Sequence, residues 1–360
     1  MMQAVRKLKE APGFDLVEVP IPTPGPGEVL VKILAASLCG TDGKVKAWLP
    51  PFSAGRLKPP VTTGHEMSGV IVELGEGVTG FAVGDLVSAE SHIPCQAQSE
   101  HRDHPCSLCQ EGNEHICSHV KFFSVDRDGF LANYATSPTS VLWKNDRDMD
   151  PSLAALQESL GNSVYTVMEG DVKGKNVAIF GMGPTGLNAA AICKQMQAKR
   201  IIAIAGSTLH LQMASTMGAD VVINRHDYKT SEELIAAVGA LVPEVHVCLE
   251  MSGSPQALQQ ALQLVRPTGV ISILGLYKHD LTVDMNAIVL KDLKFRGIYG
   301  RRMWETWKMT SQLLREGLAV RPVITHTFEG LTQWEEGFRL MEEGACGKVM
   351  FYPNGKPNSQ

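Results

Sequence analysis

The chain has no uninterrupted apolar stretch of about 18 residues, which is what a membrane-spanning helix requires. Its start, MMQAVRKLKEAPGFDLVEV, lacks the apolar segment of a secretory leader, so a cytoplasmic location is expected. Strongly basic runs are missing as well. With a formal net charge of -5, neither a nucleic-acid footprint nor a polybasic membrane patch is expected, and a small neutral or weakly anionic ligand fits better. Internal repeats and low-complexity segments are also absent. What remains is a chain of 360 residues, 44% hydrophobic, with enough apolar content for a sizeable core. At roughly 150 residues per domain it should form two domains.

The texture of the chain divides in the same way. Up to about residue 150, short β-branched runs broken by Gly and Pro (EVLVKILAAS, MSGVIVELGEGV, DLVSAES) predict a barrel-type β unit. From about residue 151, strand-like runs alternate with helical ones: NVAIFG, PTGLNAAAICKQMQ, RIIAIAG, LHLQMASTMG, DVVIN. Further strands are expected at HVCLEMSG, GVISILGLY and LKFRGIY. Strict alternation predicts a parallel doubly wound sheet over 151–299. Residues 300–360, with the amphipathic WETWKMTSQLLREG and the strand-like KVMFYP, are expected to complete the first domain over 1–150.

Within the second region, GKNVAIFGMGPTGLNAAA places Gly181, Gly183, Pro184, Thr185 and Gly186 between a strand and a helix. Glycines there permit the tight turn, the approach of backbone to a pyrophosphate and the packing of helix on strand, while the helix N-terminus offers free N–H groups to phosphate. An NAD enzyme usually carries an acid at the end of the next strand, and here the chain reads IIAIAGSTLH. Without that acid the pocket is small and neutral. Ser207, Thr208 and His210 could donate to a 2'-phosphate, although no arginine is evident nearby. NADP is therefore favoured over NAD, the alternative being an NAD enzyme with a loose adenosine pocket.

Eight cysteines in a cytosolic chain suit metal sites or buried thiols better than disulfides. Cys95, Cys106, Cys109 and Cys117 fall in one segment, and four thiolates make a closed set for structural zinc. His101, His104 and His115 lie close enough in sequence to compete as ligands. Cys193, Cys248 and Cys346 are expected to be small core residues. A second, open site is suggested by SLCGTD with Cys39, TTGHEMSG with His65 and Glu66, and LQESLGN with Glu158. Catalytic zinc takes about three such ligands and keeps one position free, where it would ease deprotonation of an alcohol.

CGTD, GHE, the four-cysteine lobe and GMGPTG, in this order, resemble the zinc-containing medium-chain dehydrogenases over nearly the whole chain. Within that family, LQESLGNSVYTV, LEMSGSP, ILGLY and GIYGRRMWETW are similar to the threonine-oxidising branch. The resemblance implies an α/β fold in which a GroES-like β-barrel catalytic domain accompanies a Rossmann doubly wound parallel sheet, with a cleft between them, in a homotetramer. It also implies one catalytic and one structural zinc and an NAD or NADP cofactor. Cys39, His65 and Glu66 become zinc-site residues, and Glu158 a carboxylate that alternates with water or substrate. Thr41 would hydrogen-bond the alcohol oxygen, and Leu274 and Leu276, in ILGLY, would border the cofactor. His92 becomes a group near the metal, the alternative being a loop histidine facing solvent.

Two departures from the pattern matter. Where the threonine-oxidising enzymes usually carry a proton-relaying histidine, this chain has Lys44, which either holds an anionic substrate group or is a solvated loop lysine. Between Cys95 and Cys106 the chain inserts QAQSEHRDHP, which enlarges the lobe. The expected activity is hydride transfer between a secondary alcohol, an L-threonine-like hydroxy compound, and NAD(P). Alternatives are a polyol, sugar or amino-alcohol dehydrogenase acting as a ketone reductase, and a zinc-stabilised nucleotide-binding protein without this activity. Residues 43–60 should select the substrate. Arg301, Trp304 and Glu305 would line either the cleft or a subunit contact.

Overall fold

A computed structural model describes residues 1–101 and 103–356. These divide into two compact units, Met1–Glu158 with the chain from Ile324 onward, and Ser159–Val323. In the first unit the strand Glu28–Ser37 is central. It pairs with Glu66–Leu74, Tyr134–Pro138 and Lys348–Tyr352, and the same sheet continues through Leu86–Ala89 to Leu142–Lys144 on one side and to Ile324–Glu329 on the other. Val29, Val31, Ile33 and Ala35 on this strand are wholly buried, as the alternation in EVLVKILAAS predicts for a sheet with one face on a core. A smaller sheet orders Asp15–Val19, Met2–Lys7 and Val61–Thr62.

In the second unit, among the described residues, six parallel strands run in the order Val221–Asn224, Arg200–Ala205, Asn176–Phe180, Val245–Glu250, Val265–Ile273, Lys294–Gly297. Counted along the chain this is 3-2-1-4-5-6, the Rossmann order. A dinucleotide binds at the point where that order reverses, beyond the strand ends. Val177, Ile179, Ile202, Leu249 and Ile271 are fully buried, because helices cover both faces of such a sheet.

The boundaries differ from the sequence expectation at two places. Residues 151–158 stay with the first unit, where Ser68 Oγ donates to Pro151 O (2.6 Å) and Ser88 Oγ to Ala154 O (2.8 Å). Residues 300–323 belong to the second unit instead of the first. Arg301 is buried against Gly161 and donates to Asn162 Oδ1 at 3.1 Å, and Gln195 Nε2 donates to Leu313 O at 3.2 Å. The helix Glu305–Arg315 thus buries Trp307 and Leu313 within the second unit. Cys193, Cys248 and Cys346 are buried and in no disulfide. Among the described residues no helix is long and apolar enough to cross a membrane.

Candidate metal centres and nucleotide pocket

Cys39 precedes the short helix Gly40–Lys46, and His65 precedes the strand Glu66–Leu74. The ligand atoms of Cys39, His65 and Glu66 all lie within 4.8 Å of one another. Asp42, wholly buried, accepts from the Cys39 backbone N–H (2.9 Å) and lies 3.3 Å from His65 Nδ1. A carboxylate on one ring nitrogen orients the imidazole and leaves Nε2 for a metal. Burial alone would favour neutral forms of both side chains. Their mutual attraction outweighs it, holding the Asp42 carboxyl below the usual carboxylate range and, with the Cys39 sulfur, raising His65 well above the usual imidazole value. A pocket that strengthens a histidine's hold on a proton is built to receive a cation, and the S, N and O donors suit zinc.

Glu158 is buried on the helix Pro151–Gly170 and is not one of the three clustered ligands. It acts on Glu66 instead: burial first, and then the charge of Glu158, push the Glu66 carboxyl up, against the pull of Lys348. Lys348 is the principal residue that sequence reading missed in this site. Its buried ammonium pairs with both oxygens of Glu66 and donates to Leu38 O at 3.0 Å, while Ser37 Oγ donates to Glu66 from the neighbouring strand. No motif marks it, since it stands 282 residues from its partner. Asp42, although inside CGTD, was likewise not singled out.

His92 is buried, not solvent-facing, and its Nδ1 lies 3.1 Å from Glu90 Oε1. Thr41 is half-buried in the first turn of Gly40–Lys46. Lys44 is exposed on the same helix and makes no ion pair among the described residues.

The four-cysteine lobe is closed at its neck by a ribbon in which His92 pairs with Phe122 and Ile93 with Lys121. Inside it Cys95, Cys106, Cys109 and Cys117 converge within 4.8 Å despite the inserted residues 96–105, of which Arg102 lies outside the described residues. The Cys95–Cys109 and Cys106–Cys117 sulfurs are 3.5 Å and 3.8 Å apart. A tetrahedron with zinc–sulfur bonds of about 2.3 Å has edges of about 3.8 Å, so this spacing matches the group. Backbone N–H groups of Cys95 and His119 point at Cys117 Sγ (3.2 and 3.3 Å) and that of Cys106 at Cys95 Sγ (3.3 Å), which favours thiolates. Against burial, the backbone N–H groups of Cys109 and Ser118 and the Cys109 and Cys117 side chains bring the Cys106 thiol down to about 6, whereas burial raises the Cys109 and Cys117 thiols. His101, His104 and His115 are outside the ligand set, and His101 stacks on His119 at 4.5 Å. Cys106→Ser should therefore lower bound zinc by one equivalent per chain in metal analysis and destabilise the fold. Unchanged metal content would refute a four-thiolate site.

In the second unit each loop glycine has its own physical reason. Gly181 has φ +93, and a Cβ there would lie 2.7 Å from Ser252 Cβ; a Cβ on Gly186 would sit 1.9 Å from Gly181 O. Nothing stands within 4 Å of a Cβ on Gly183, which leaves the helix N-terminus open, and Pro184 begins the helix Pro184–Gln195. Beside this loop is a cavity of about 320 Å³. Ser207 and His210 line it, whereas Thr208 is exposed outside it. Arg225, not foreseen from the sequence, lines it too.

Gly183, Pro184, Thr185, Gly186, Leu274 and Leu276 are not part of that lining. Leu276, 73% exposed, stands beside Gly253 on a loop held by Glu250. The buried Glu250 carboxylate accepts from Ser252 N (2.8 Å), Gly253 N (3.1 Å) and Tyr277 Oη (2.9 Å), so it ties together the loops after two adjacent strands.

The chain is similar to known proteins along nearly its whole length. A profile of the alcohol dehydrogenase GroES-like domain matches residues 25–147, and one of zinc-binding dehydrogenases matches residues 184–316. The L-threonine 3-dehydrogenase of Pyrococcus horikoshii is 44% identical over 97% of this chain and 98% of its own length. That of Symbiobacterium thermophilum is 41% identical over 99% of each. In three dimensions, a protein of Sinorhizobium meliloti 1021 assigned as a zinc-binding dehydrogenase and solved bound to NADP matches with a TM-score of 0.87 at 25% identity, covering 98% of this chain and 99% of that one.

Proposed function

Because the chain belongs to the zinc-binding alcohol dehydrogenases with a GroES-like domain, and is a zinc-dependent, NAD(P)-linked oxidoreductase, we propose that it oxidises L-threonine at the 3-hydroxyl. The observation that carries this substrate is the near full-length identity to L-threonine 3-dehydrogenases, together with the clustered Cys39, His65 and Glu66. We infer two zinc ions per chain, one at that cluster and one at the four cysteines, and a preference for NADP supported by the acid-free stretch Ala205–Thr208.

Zinc would supply acidification of the alcohol and the nicotinamide would take the hydride, so that a secondary alcohol gives a ketone, a reduced cofactor and a proton. The chain's own residues prepare this chemistry. Cys39 and His65 would hold the metal with a carboxylate from Glu66 or Glu158, and Asp42, which accepts from Thr63 Oγ1 at 3.4 Å, fixes the His65 imidazole. Lys348 and Ser37 hold the Glu66 carboxylate against Glu158. Thr41 hydrogen-bonds the alcohol oxygen, and His92, held by Glu90, belongs to the surroundings of the metal.

The direct test is the initial rate of cofactor reduction with L-threonine in zinc-loaded protein, using NAD and NADP in parallel. A kcat/KM of roughly 10⁴ M⁻¹s⁻¹ or more is expected with one of them. No turnover with either would overturn the threonine assignment in favour of a polyol, sugar or amino-alcohol substrate.

Lys44, exposed and without an ion pair among the described residues, is assigned in this reading to the carboxylate of an amino-acid substrate. Lys44→Ala should raise KM for L-threonine about threefold to tenfold with little change in kcat. An unchanged KM would return Lys44 to a solvated surface role.

Self-association is a further part of this reading. The edge strand Lys294–Gly297 is exposed throughout, and Leu276, Met285, Val289, Leu290, Phe295 and Tyr299 add exposed apolar surface to the same stretch of chain. Open edges with apolar flanks are sites of pairing, so light scattering should give a mass of a homo-oligomer, a tetramer by family likeness. A monomer mass at micromolar concentration would contradict this. A cytoplasmic location accompanies these proposals.

A further inference from the structure

The end of the second strand of the Rossmann unit is occupied in an unexpected way. Strands Arg200–Ala205 and Val221–Asn224 are parallel, with Ala205 paired to Asn224, so the next residues along, Gly206 and Arg225, fall side by side. A Cβ built on Gly206 would lie 2.7 Å from Arg225 Nε and 2.6 Å from His226 Nε2. Glycine at 206 is what lets the guanidinium and the imidazole stand where a ribose-binding acid would otherwise project. Arg225 lines the cavity with Gly206, Ser207 and His210, and among the described residues no carboxylate pairs with it. Ser207 is also the N-cap of the helix Thr208–Thr216, whose first N–H groups add donor potential to the same place.

We propose that Arg225, with His226 beside it, binds the 2'-phosphate of NADP and makes this chain NADP-selective. The inference deepens the cofactor reading above and rests on the second unit being the dinucleotide site. A planar guanidinium with no acidic partner matches a phosphate dianion in charge and in fork geometry, while the ribose 2'-hydroxyl of NAD gives it only one neutral acceptor. Ser207 and His210 complete the donors, and the missing acid removes the repulsion that would exclude the phosphate. Arg225 escaped the sequence reading because it follows the third strand, 19 residues beyond Gly206 and outside the glycine-loop motif.

Fluorescence titration of the full chain with NADPH and NADH, and displacement by 2',5'-ADP and 5'-AMP, tests this without turnover. Wild-type protein should bind NADPH and 2',5'-ADP roughly 10- to 100-fold more tightly than NADH and 5'-AMP. Arg225→Ala should remove most of that difference while NADH binding stays within about twofold, and Arg225→Lys should restore part of it. Equal affinity for the two cofactors in wild type, or equal weakening of both by Arg225→Ala, would overturn the assignment of Arg225 and leave the dinucleotide site standing. Binding of neither cofactor would overturn the dinucleotide reading itself, and this inference with it.

Discussion

Cys39→Ala should lower kcat by on the order of 10³-fold while leaving cofactor titrations unchanged. The thiolate is one of three donors clustered within 4.8 Å, and without it the pair His65 and Glu66 is a poor zinc site. Metal analysis should fall from two zinc ions per chain to one, with the four-cysteine site still filled. The fold should survive, since Cys39 is only half-buried at the N-cap of a short helix and its loss opens no large cavity. Retained activity with a single zinc would show that the three-donor cluster is not the catalytic centre.

The second large effect is expected at Lys348. Its ammonium is 3% exposed and Glu66 is fully buried, so the pair exists in a medium that penalises either charge alone. Burial lowers the lysine's proton affinity, and the charges of Glu66 and Cys39 more than restore it, raising Lys348 above its ordinary value. Lys348→Met removes the ammonium that balances the buried Glu66 carboxylate beside Glu158 and should cost about 3–5 kcal/mol of stability by chemical denaturation. The double variant Lys348→Met/Glu66→Gln removes the orphaned charge and should recover a good part of that stability, because an isosteric neutral pair is often tolerated where a half-pair is not. Activity should not recover with it, since Glu66 then no longer offers a carboxylate to the cluster with Cys39 and His65. A stability loss in the single variant below about 1 kcal/mol would mean that the pair is not sealed from water as the structure shows.

The two predictions concern residues of different visibility in the chain. Cys39 is legible because CGTD is contiguous and its chemistry is narrow. The four-cysteine lobe is legible for the same reason, because Cys106 and Cys109 lie on one turn and Cys95 and Cys117 bracket them. The alternation of strand and helix after residue 150 likewise announces a parallel sheet, and the strand order bears it out. Residues 300–323 contain the amphipathic helix that WETWKMTSQLLREG predicts, but the helix packs in the second unit instead of the first. An amphipathic stripe says that a face will be buried and is silent about which surface buries it.

What the sequence by itself determined are the features whose parts are neighbours along the chain: the glycine loop, the thiolate lobe, the missing acid after the second strand, and the family they belong to together. Local geometry is sufficient for these, because a turn, a helix start or a four-thiolate loop closes over a few residues. Only the tertiary structure decided that Lys348 stands beside Glu66 and Arg225 beside Gly206. Both follow from strand register. Ser37 pairs with Glu66 on one side and Met350 on the other, which brings Lys348 across to the same site, and Ala205 opposite Asn224 sets Arg225 against the glycine. Register is fixed by the packing of whole sheets, so residues far apart in the chain acquire a shared charge environment that no local pattern of residues encodes.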